Sequence, residues 1–304
     1  MSRTVFLGTS DFAASVLERL VDSPHRPALV VTRPDSRRGR GLKTSPPPAA
    51  DAARELGFEL FQTPDVNDTG SLERIAAADP NVVAVCSFGQ LIKEPLLSEH
   101  LLLNVHPSLL PRWRGAAPIA RAMMAGDSAT GLSIMRVTPG LDSGPVALQE
   151  EVAIGPDEDW GSLSGRLAEL GGELLVRALD LHESGELSFE EQDDSLATYA
   201  EKIGPEDRRL DPLRPARELA ATVRALTPHV GAYLELEGGE RLGVRAARAE
   251  DGELPAGRIE AADGELRLGC AEGVLRLEVV QPPGGRPMDA QAYLRGHDVP
   301  AETR

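Results

Sequence analysis

The segment 101–122 holds residues that could act on a carbonyl group. A strand-like apolar run ends in Asn104 and His106, and a strand places residues two positions apart on the same face. The Asn amide donates a hydrogen bond at any pH, and a His ring can donate or accept a proton. Such donors suit the oxyanion of a tetrahedral intermediate. Without further context, the pair also fits a strand end followed by a solvated loop.

The loop that follows this pair is stiff and basic. Prolines recur along it and restrict its backbone, while Arg112 and Arg114 add positive charge with no acidic residue between positions 100 and 126. An unopposed basic loop beside a possible donor pair makes a plain solvated loop a weaker explanation.

The first half of the chain alternates segments typical of strands and helices. Strand-like runs lie at 4–8, 28–32, 58–62, 82–86, 101–105 and 131–137, and helical patterns begin at Asp11, lie near 49–56, 70–78 and 115–125, and run from 160 to 181. This rhythm predicts an α/β fold with a mostly parallel open sheet and helices on both faces. Such sheets bind ligands outside the carboxyl ends of their strands, where Asn104 and His106 are expected.

The pattern changes after His182. A polar, acidic stretch broken by Gly and Pro is typical of a linker. Beyond it, one amphipathic helix at 216–226 and five short strand-like runs predict a small antiparallel β-barrel, of the OB type. We expect three parts in chain order: a catalytic domain at 1–188, a linker at 189–209 and a C-terminal barrel domain at 210–304.

Composition restricts the partners and the compartment. The 304 residues carry a formal charge of -16, which by itself argues against a nucleic-acid partner. The start of the chain lacks a signal-peptide pattern and no apolar run approaches the roughly 20 residues of a membrane span, so we expect a cytoplasmic protein. Cys86 and Cys270 lie in strand-like runs and are expected to be buried free thiols. The histidines show no metal-ligand spacing.

One segment opposes the acidic average. Residues 33–43 carry five basic side chains against one acidic side chain, a local charge of +4; the basic residues are Arg33, Arg37, Arg38, Arg40 and Lys43. A charge run is usually a solvated surface. At the carboxyl edge of a strand, however, it would form a basic surface able to bind a phosphate backbone.

Several of these residues resemble a known active-site signature. Asn104, His106, the SLLP sequence at 108–111 and Asp142 in GLDSGP resemble the formyltransferases that use 10-formyltetrahydrofolate. The resemblance implies a Rossmann-like catalytic domain followed by a barrel-like C-terminal domain. It also implies that Asn104, His106 and Asp142 are catalytic, with the amide and imidazole facing the oxyanion and the carboxylate helping to move a proton. Outside this resemblance, LDSGP is simply a good turn sequence.

The resemblance also assigns a folate-binding region. It implies that two loops bind the co-substrate, which leaves as tetrahydrofolate after transfer. The residues of these loops are Ser87, Phe88, Gly89 and Gln90, and Ser108, Leu109, Leu110 and Pro111. We expect no metal at the site. From the residues alone, the first loop is an ordinary strand-to-helix connection and the leucines could be core.

Further motifs narrow the acceptor. RWRGAAPI at 112–119, RPDSRRGRG at 33–41, TYAEKIGPEDRRLD at 198–211 and QPPGGRPMDAQAYLRG at 281–296 resemble those family members that formylate methionyl initiator tRNA. The resemblance implies a monomer that binds this tRNA through the basic loop, with Arg40 at the matching arginine position. The small basic surface on an otherwise acidic chain predicts tRNA contacts from Arg38, Arg40, Arg112 and Arg114 and no binding of DNA. The C-terminal region departs from the pattern, because its 19 acidic side chains after residue 194 outnumber 15 basic ones.

Two alternatives differ in acceptor or in class. One is a formyltransferase that acts on an amino sugar nucleotide or a glycinamide ribonucleotide, which the basic segment, RWRGAAPI and the barrel domain disfavour. The other is a non-catalytic folate- or RNA-binding module, which the joint presence of Asn104, His106 and Asp142 disfavours.

Overall fold

The computed structural model describes residues 3–38, 43–299 and 302–303. Its strands are β1 (Thr4–Gly8), β2 (Leu29–Thr32), β3 (Ser36–Arg38), β4 (Lys43–Ser45), β5 (Leu60–Gln62), β6 (Val82–Cys86), β7 (Leu101–His106), β8 (Arg114–Gly115), β9 (Ala129–Arg136), β10 (Val146–Ala153), β11 (Tyr199–Ala200), β12 (Ala232–Glu235), β13 (Arg241–Glu250), β14 (Ile259–Ala262), β15 (Glu265–Gly269), β16 (Val274–Gln281) and β17 (Met288–Asp289). Its helices are α1 (Asp11–Leu20), α2 (Pro48–Glu55), α3 (Thr69–Ala77), α4 (Leu96–Glu99), α5 (Pro118–Met124), α6 (Trp160–Ser184), α7 (Ala216–Leu226) and α8 (Ala290–Gly296).

The chain divides into two compact units. The first comprises Met1–Gly115, Thr130–Val152 and Ser164–Tyr199, and the second comprises Ala116–Ala129, Ala153–Leu163 and Ala200–Arg304. The polar stretch at 189–209 is therefore shared between the units, and the expected domain limits stay a prediction.

The first unit is built on a seven-stranded sheet in the order β10-β9-β7-β6-β1-β2-β5. Five neighbouring strands of this sheet are parallel: β7, β6, β1, β2 and β5. From β1 the chain first adds strands on one side, β2 and β5, and then on the other side, β6 and β7, so the strand order reverses between β1 and β6. β1 and β6 are buried along their whole length, as expected for central parallel strands covered on both faces. The mostly parallel α/β sheet is thus confirmed.

Helix α1 follows β1 for a local reason. The Ser10 side chain accepts a hydrogen bond from the Ala13 amide at 3.3 Å and caps the helix, which begins at Asp11 as predicted. The helix buries Phe12, Val16 and Leu17, which recur at helical spacing.

Strand β9 differs from expectation in direction. It runs antiparallel to β7, so its last residue, Arg136, pairs with Leu103 and does not reach the carboxyl edge of the parallel strands. β10 completes this side of the sheet, and it was not predicted because most of its residues are half-buried or exposed and form no apolar run.

The second unit contains an antiparallel sheet in the order β12-β13-β16-β15-β14, with β17 pairing with β16. All five predicted strand-like runs form these strands, and α7 packs its apolar face, including Leu219, Val223 and Leu226, into their core. Isolated bridges join Thr303 to Leu236 and Glu302 to Arg258. Closure of this sheet into a barrel stays a prediction.

Candidate active site

Asn104 and His106 lie on β7, between parallel β6 and antiparallel β9. Asn104 is opposite Val85 on one side and Met135 on the other, and His106 is opposite Ser133. Pairing on both sides fixes the backbone, and alternation along the strand directs both side chains to one face. Asn104 is half-buried, whereas His106 is only 4% exposed.

The His106 ring is held between a carbonyl and a carboxylate. Its Nε2 atom lies 3.0 Å from the backbone oxygen of Trp113, which can only accept, so Nε2 is the donor. Its Nδ1 atom faces Oδ2 of Asp142 at 3.7 Å. This distance exceeds that of a normal hydrogen bond, but the carboxylate would attract the ring once Nδ1 takes a proton.

Asp142 reaches His106 through the connection 137–145, which returns from the end of β9. Its backbone adopts a left-handed conformation with φ of 45°, which costs free energy for a residue other than glycine. Its Oδ2 atom also accepts a hydrogen bond from the Gly115 amide at 2.8 Å. The structure therefore brings Asp142 and His106 together.

Two residues that hold this connection were not predicted to do so. The Gln192 amide donates from Nε2 to the backbone oxygens of Asp142 at 2.9 Å and Gly144 at 2.6 Å. Its Oε1 atom accepts from Nε and Nη2 of Arg114 at 3.0 and 2.8 Å. A single Gln in a polar stretch carries no sequence signal for such a role.

Arg114 is not a surface residue. It is 3% exposed, and its Nη2 atom also lies 2.7 Å from Oδ1 of Asp194. Because this guanidinium is buried and hydrogen-bonded within the first unit, the structure does not support the predicted contact between Arg114 and tRNA.

Buried side chains and hydrogen bonds hold the loop at 108–111 in place. Ser108 is fully buried and donates to the Arg112 oxygen at 2.6 Å, and Leu110 is 5% exposed. The Gln149 amide donates to the Leu110 oxygen at 2.7 Å. Leu109 and Pro111 are half-buried, so they are the members of this loop that a ligand could reach more readily.

The loop at 87–90 follows β6, at the crossover beside β1. Ser87 and Gly89 are exposed and both have positive φ, of 43° and 76°. Phe88 is buried in the core. The Gln90 side chain accepts from the Val66 amide at 2.7 Å, which ties this loop to a neighbouring one. Open α/β sheets bind ligands at such a crossover, and here Ser87 and Gly89 present the accessible surface.

The described parts of the basic segment include the paired antiparallel strands β3 and β4, with Arg37 of β3 opposite Thr44 of β4. Arg33 and Arg37 are exposed. Arg38 belongs to β3, and Arg40 lies outside the described residues. In the other predicted basic loop, Arg112 is exposed and its guanidinium carbon lies 4.5 Å from the centre of the Trp113 ring.

Both cysteines are buried free thiols, as predicted. Burial raises the pKa of the Cys86 thiol, and it raises that of Cys270 to about 11. Across 3–38, 43–299 and 302–303, no group of three or more His, Cys, Asp or Glu side chains is placed to hold a metal ion. Among the helices described in the structure, none is both long enough and apolar enough to cross a membrane.

Comparisons with known proteins show the family to which the chain belongs. A family model described as Formyl transferase matches residues 2–179, and one described as Formyl transferase, C-terminal domain, matches residues 202–298. The chain is 41% identical over 299 residues to a methionyl-tRNA formyltransferase from Methylococcus capsulatus, with 97% of each chain covered.

Two solved structures share the fold. An N-formyltransferase from Helicobacter canadensis, in complex with folinic acid and dTDP-3-aminofucose, matches with a TM-score of 0.66 and 12% identity over 91% of this chain and 99% of that chain. HypX from Aquifex aeolicus matches with a TM-score of 0.64 and 16% identity over 97% of this chain. This chain spans about half of HypX, 49% of its length.

Proposed function

Because the chain belongs to the methionyl-tRNA formyltransferase family, we propose that it transfers the formyl group of 10-formyltetrahydrofolate to the α-amino group of methionyl initiator tRNA. The observation that carries this proposal is that the Asp142 carboxylate lies 3.7 Å from the ring of His106, which shares strand β7 with Asn104.

The chemistry requires a donor set and a proton carrier. The amine attacks the formyl carbon, a new C–N bond forms, and charge develops on the formyl oxygen before the bond to N10 breaks. The Asn104 amide donates to this oxygen, and the His106 ring adds positive charge beside it once Nδ1 takes a proton; preorganised groups of this kind cost no reorganisation during the reaction. Asp142 takes the proton that the amine loses, through His106 or directly, and the proton leaves on N10.

Burial around His106 strengthens these interactions. The imidazole side chain is 5% exposed and the Asp142 carboxylate 19% exposed, so little water competes for either group. No covalent intermediate with the protein is needed, since an amine held at the formyl carbon can attack directly.

The folate co-substrate is assigned to the edge of the sheet beside β6 and β7. Ser87 and Gly89 would offer polar backbone and hydroxyl groups, and Leu109 and Pro111 an apolar surface. Phe88, Gln90, Ser108 and Leu110 would shape this region through the packing and hydrogen bonds described above.

The tRNA is assigned to the basic residues at the same edge. Arg33 and Arg37 follow β2, which lies three strand spacings from β7, about 14 Å away. Exposed arginines here and at Arg112 would hold phosphates while the aminoacyl end reaches His106. Arg38 and Arg40 are included in this proposal on the basis of the sequence alone.

We further propose that the protein acts in the cytoplasm, because translation uses charged tRNA there. We also propose that it is a monomer and does not bind DNA, since the chain carries a formal charge of -16. The decisive experiment incubates the protein with 10-formyltetrahydrofolate and methionyl initiator tRNA. We expect formylmethionyl-tRNA; formylation of an amino sugar nucleotide in its place would overturn the proposed acceptor.

A further inference from the structure

The side chains of buried Arg114 and half-buried Gln192 form a connected pair that holds the backbone at Asp142 and Gly144. We propose that Gln192 and Arg114 are positioning residues that fix the Asp142 carboxylate against His106 during formyl transfer. This inference rests on the proposed function, since it concerns the same site, and it assigns a role to two residues that do not touch the reacting atoms.

The need for such a support follows from the backbone at Asp142. Its φ of 45° is unfavourable for a residue with a Cβ atom, and such conformations persist only where neighbours hold them. Gln192 donates to the Asp142 oxygen at 2.9 Å and to the Gly144 oxygen at 2.6 Å. Loss of these bonds would let the connection relax and carry the carboxylate away from Nδ1 of His106.

Arg114 determines which way the Gln192 amide faces. A guanidinium has donors and no acceptor, so its Nε and Nη2 atoms, at 3.0 and 2.8 Å, require the amide oxygen of Gln192 on their side. The amide NH2 group is then directed at the two carbonyl oxygens. Asp194, at 2.7 Å from Nη2, supplies the negative charge that a buried guanidinium needs.

Strand β8, which contains Arg114, also contacts the Asp142 carboxylate itself. Gly115, next to Arg114 in β8, donates from its amide to Oδ2 of Asp142 at 2.8 Å. The Arg114 amide donates to the Thr198 oxygen at 2.9 Å, which ties β8 to the segment that carries Gln192. Backbone and side chain of Asp142 are therefore held by one connected set of groups.

The test replaces Gln192 with glutamate. Gln192→Glu keeps an oxygen for Arg114 but loses both donors and places a carboxylate against two carbonyl oxygens. We expect kcat to fall on the order of 10- to 100-fold, because a small displacement of a catalytic group is costly, while KM for both substrates stays within about twofold. Glu191→Ala, at the exposed neighbouring position, is the matched control and should retain kcat.

Two further readouts separate positioning from a general structural role. In an Asp142→Ala background, Gln192→Glu should cause no additional loss of kcat, because its effect passes through the missing carboxylate. Hydrogen exchange should become faster over residues 137–145 in the single variant. An equal loss of kcat in both backgrounds, or a folded single variant with unchanged kcat, would overturn the proposal.

A milder variant covers the case in which Gln192→Glu does not fold. Asp194→Ala removes only the exposed partner of Arg114 and should lower kcat several-fold, again only when Asp142 is present; unchanged kcat would also overturn the proposal. An unsubstituted protein that formylates no methionyl-tRNA would instead overturn the proposed function, and the exchange measurement would still test the support of Asp142.

Discussion

His106 presents its Nδ1 atom to Oδ2 of Asp142 at 3.7 Å while its Nε2 atom donates to the Trp113 oxygen at 3.0 Å. A ring that takes a proton at Nδ1 while keeping the proton at Nε2 becomes a cation facing a carboxylate. The pair is therefore suited to hold a proton briefly between its release by one amine and its uptake by another.

Asp142→Asn should remove this capacity while keeping an oxygen for the Gly115 amide. We expect kcat to fall by roughly 10²–10⁴ with little change in folate affinity, because the variant loses charge and basicity but keeps its shape. Single-turnover formylation and folate titration measure the two quantities. Asp11→Asn, an exposed Asp in the first turn of α1, is the control. A loss of folate affinity as large as the loss of rate would contradict the assigned role.

Asn104→Ala should remove one donor to the developing oxyanion. Loss of such a donor typically lowers kcat by about 10²–10³. Asn104→Asp should be slower still, because it places an acceptor with negative charge where negative charge develops. Single-turnover rates of the two variants, together with their melting temperatures, test this order; a faster Asp variant would exclude the oxyanion role.

Arg112→Ala and Arg114→Ala should affect different properties of the enzyme, although the two residues lie only two positions apart. Exposed Arg112 should contribute to tRNA affinity and its salt dependence, so its loss should reduce the slope of log affinity against log salt by about 1. Buried Arg114 should instead affect kcat and stability. Binding of initiator tRNA across a salt series distinguishes them, and a reduced slope for Arg114→Ala alone would reverse the assignment.

The Cys86 and Cys270 thiols should resist alkylation in the folded protein. Burial raises the pKa of both thiols, that of Cys270 to about 11, so little thiolate is present near neutral pH. Iodoacetamide labelling at pH 8, read by mass spectrometry, should be slow until denaturant is added. Fast labelling of either Cys in the native protein would contradict its buried position.

Local patterns predicted most of the fold but not the support of the site. β1 and β6 are continuous apolar runs, and such runs identify central parallel strands. The direction of β9 and the existence of β10 depend on which neighbours they meet, which the local pattern does not encode. In the same way, Arg114 resembles a solvated basic residue until a segment distant in sequence brings Gln192 and Asp194 to it.

Stability at low pH should depend on Asp207 in the second unit. Its carboxylate accepts hydrogen bonds from Arg121 at 2.6 and 2.9 Å, and these lower its pKa below the ordinary 3.8. A lowered folded-state pKa stabilises the folded protein above pH 3.8, and this contribution disappears as pH falls through 3.8 toward the folded value. Asp207→Asn should therefore lower the free energy of unfolding by about 1 kcal/mol near pH 7, and by less as the pH approaches 3.

Calorimetric melting at several pH values checks this expectation. The difference in melting temperature between the unsubstituted protein and Asp207→Asn should shrink on acidification, because the protonated Asp loses the charge that Arg121 stabilises. Asp251→Asn, an exposed Asp in the same unit, should show a small difference at every pH. A difference for Asp207→Asn that stays constant from pH 7 to pH 3 would mean that the ion pair with Arg121 does not contribute, and that the substitution acts through the hydrogen bond from the Gly204 amide at 2.7 Å.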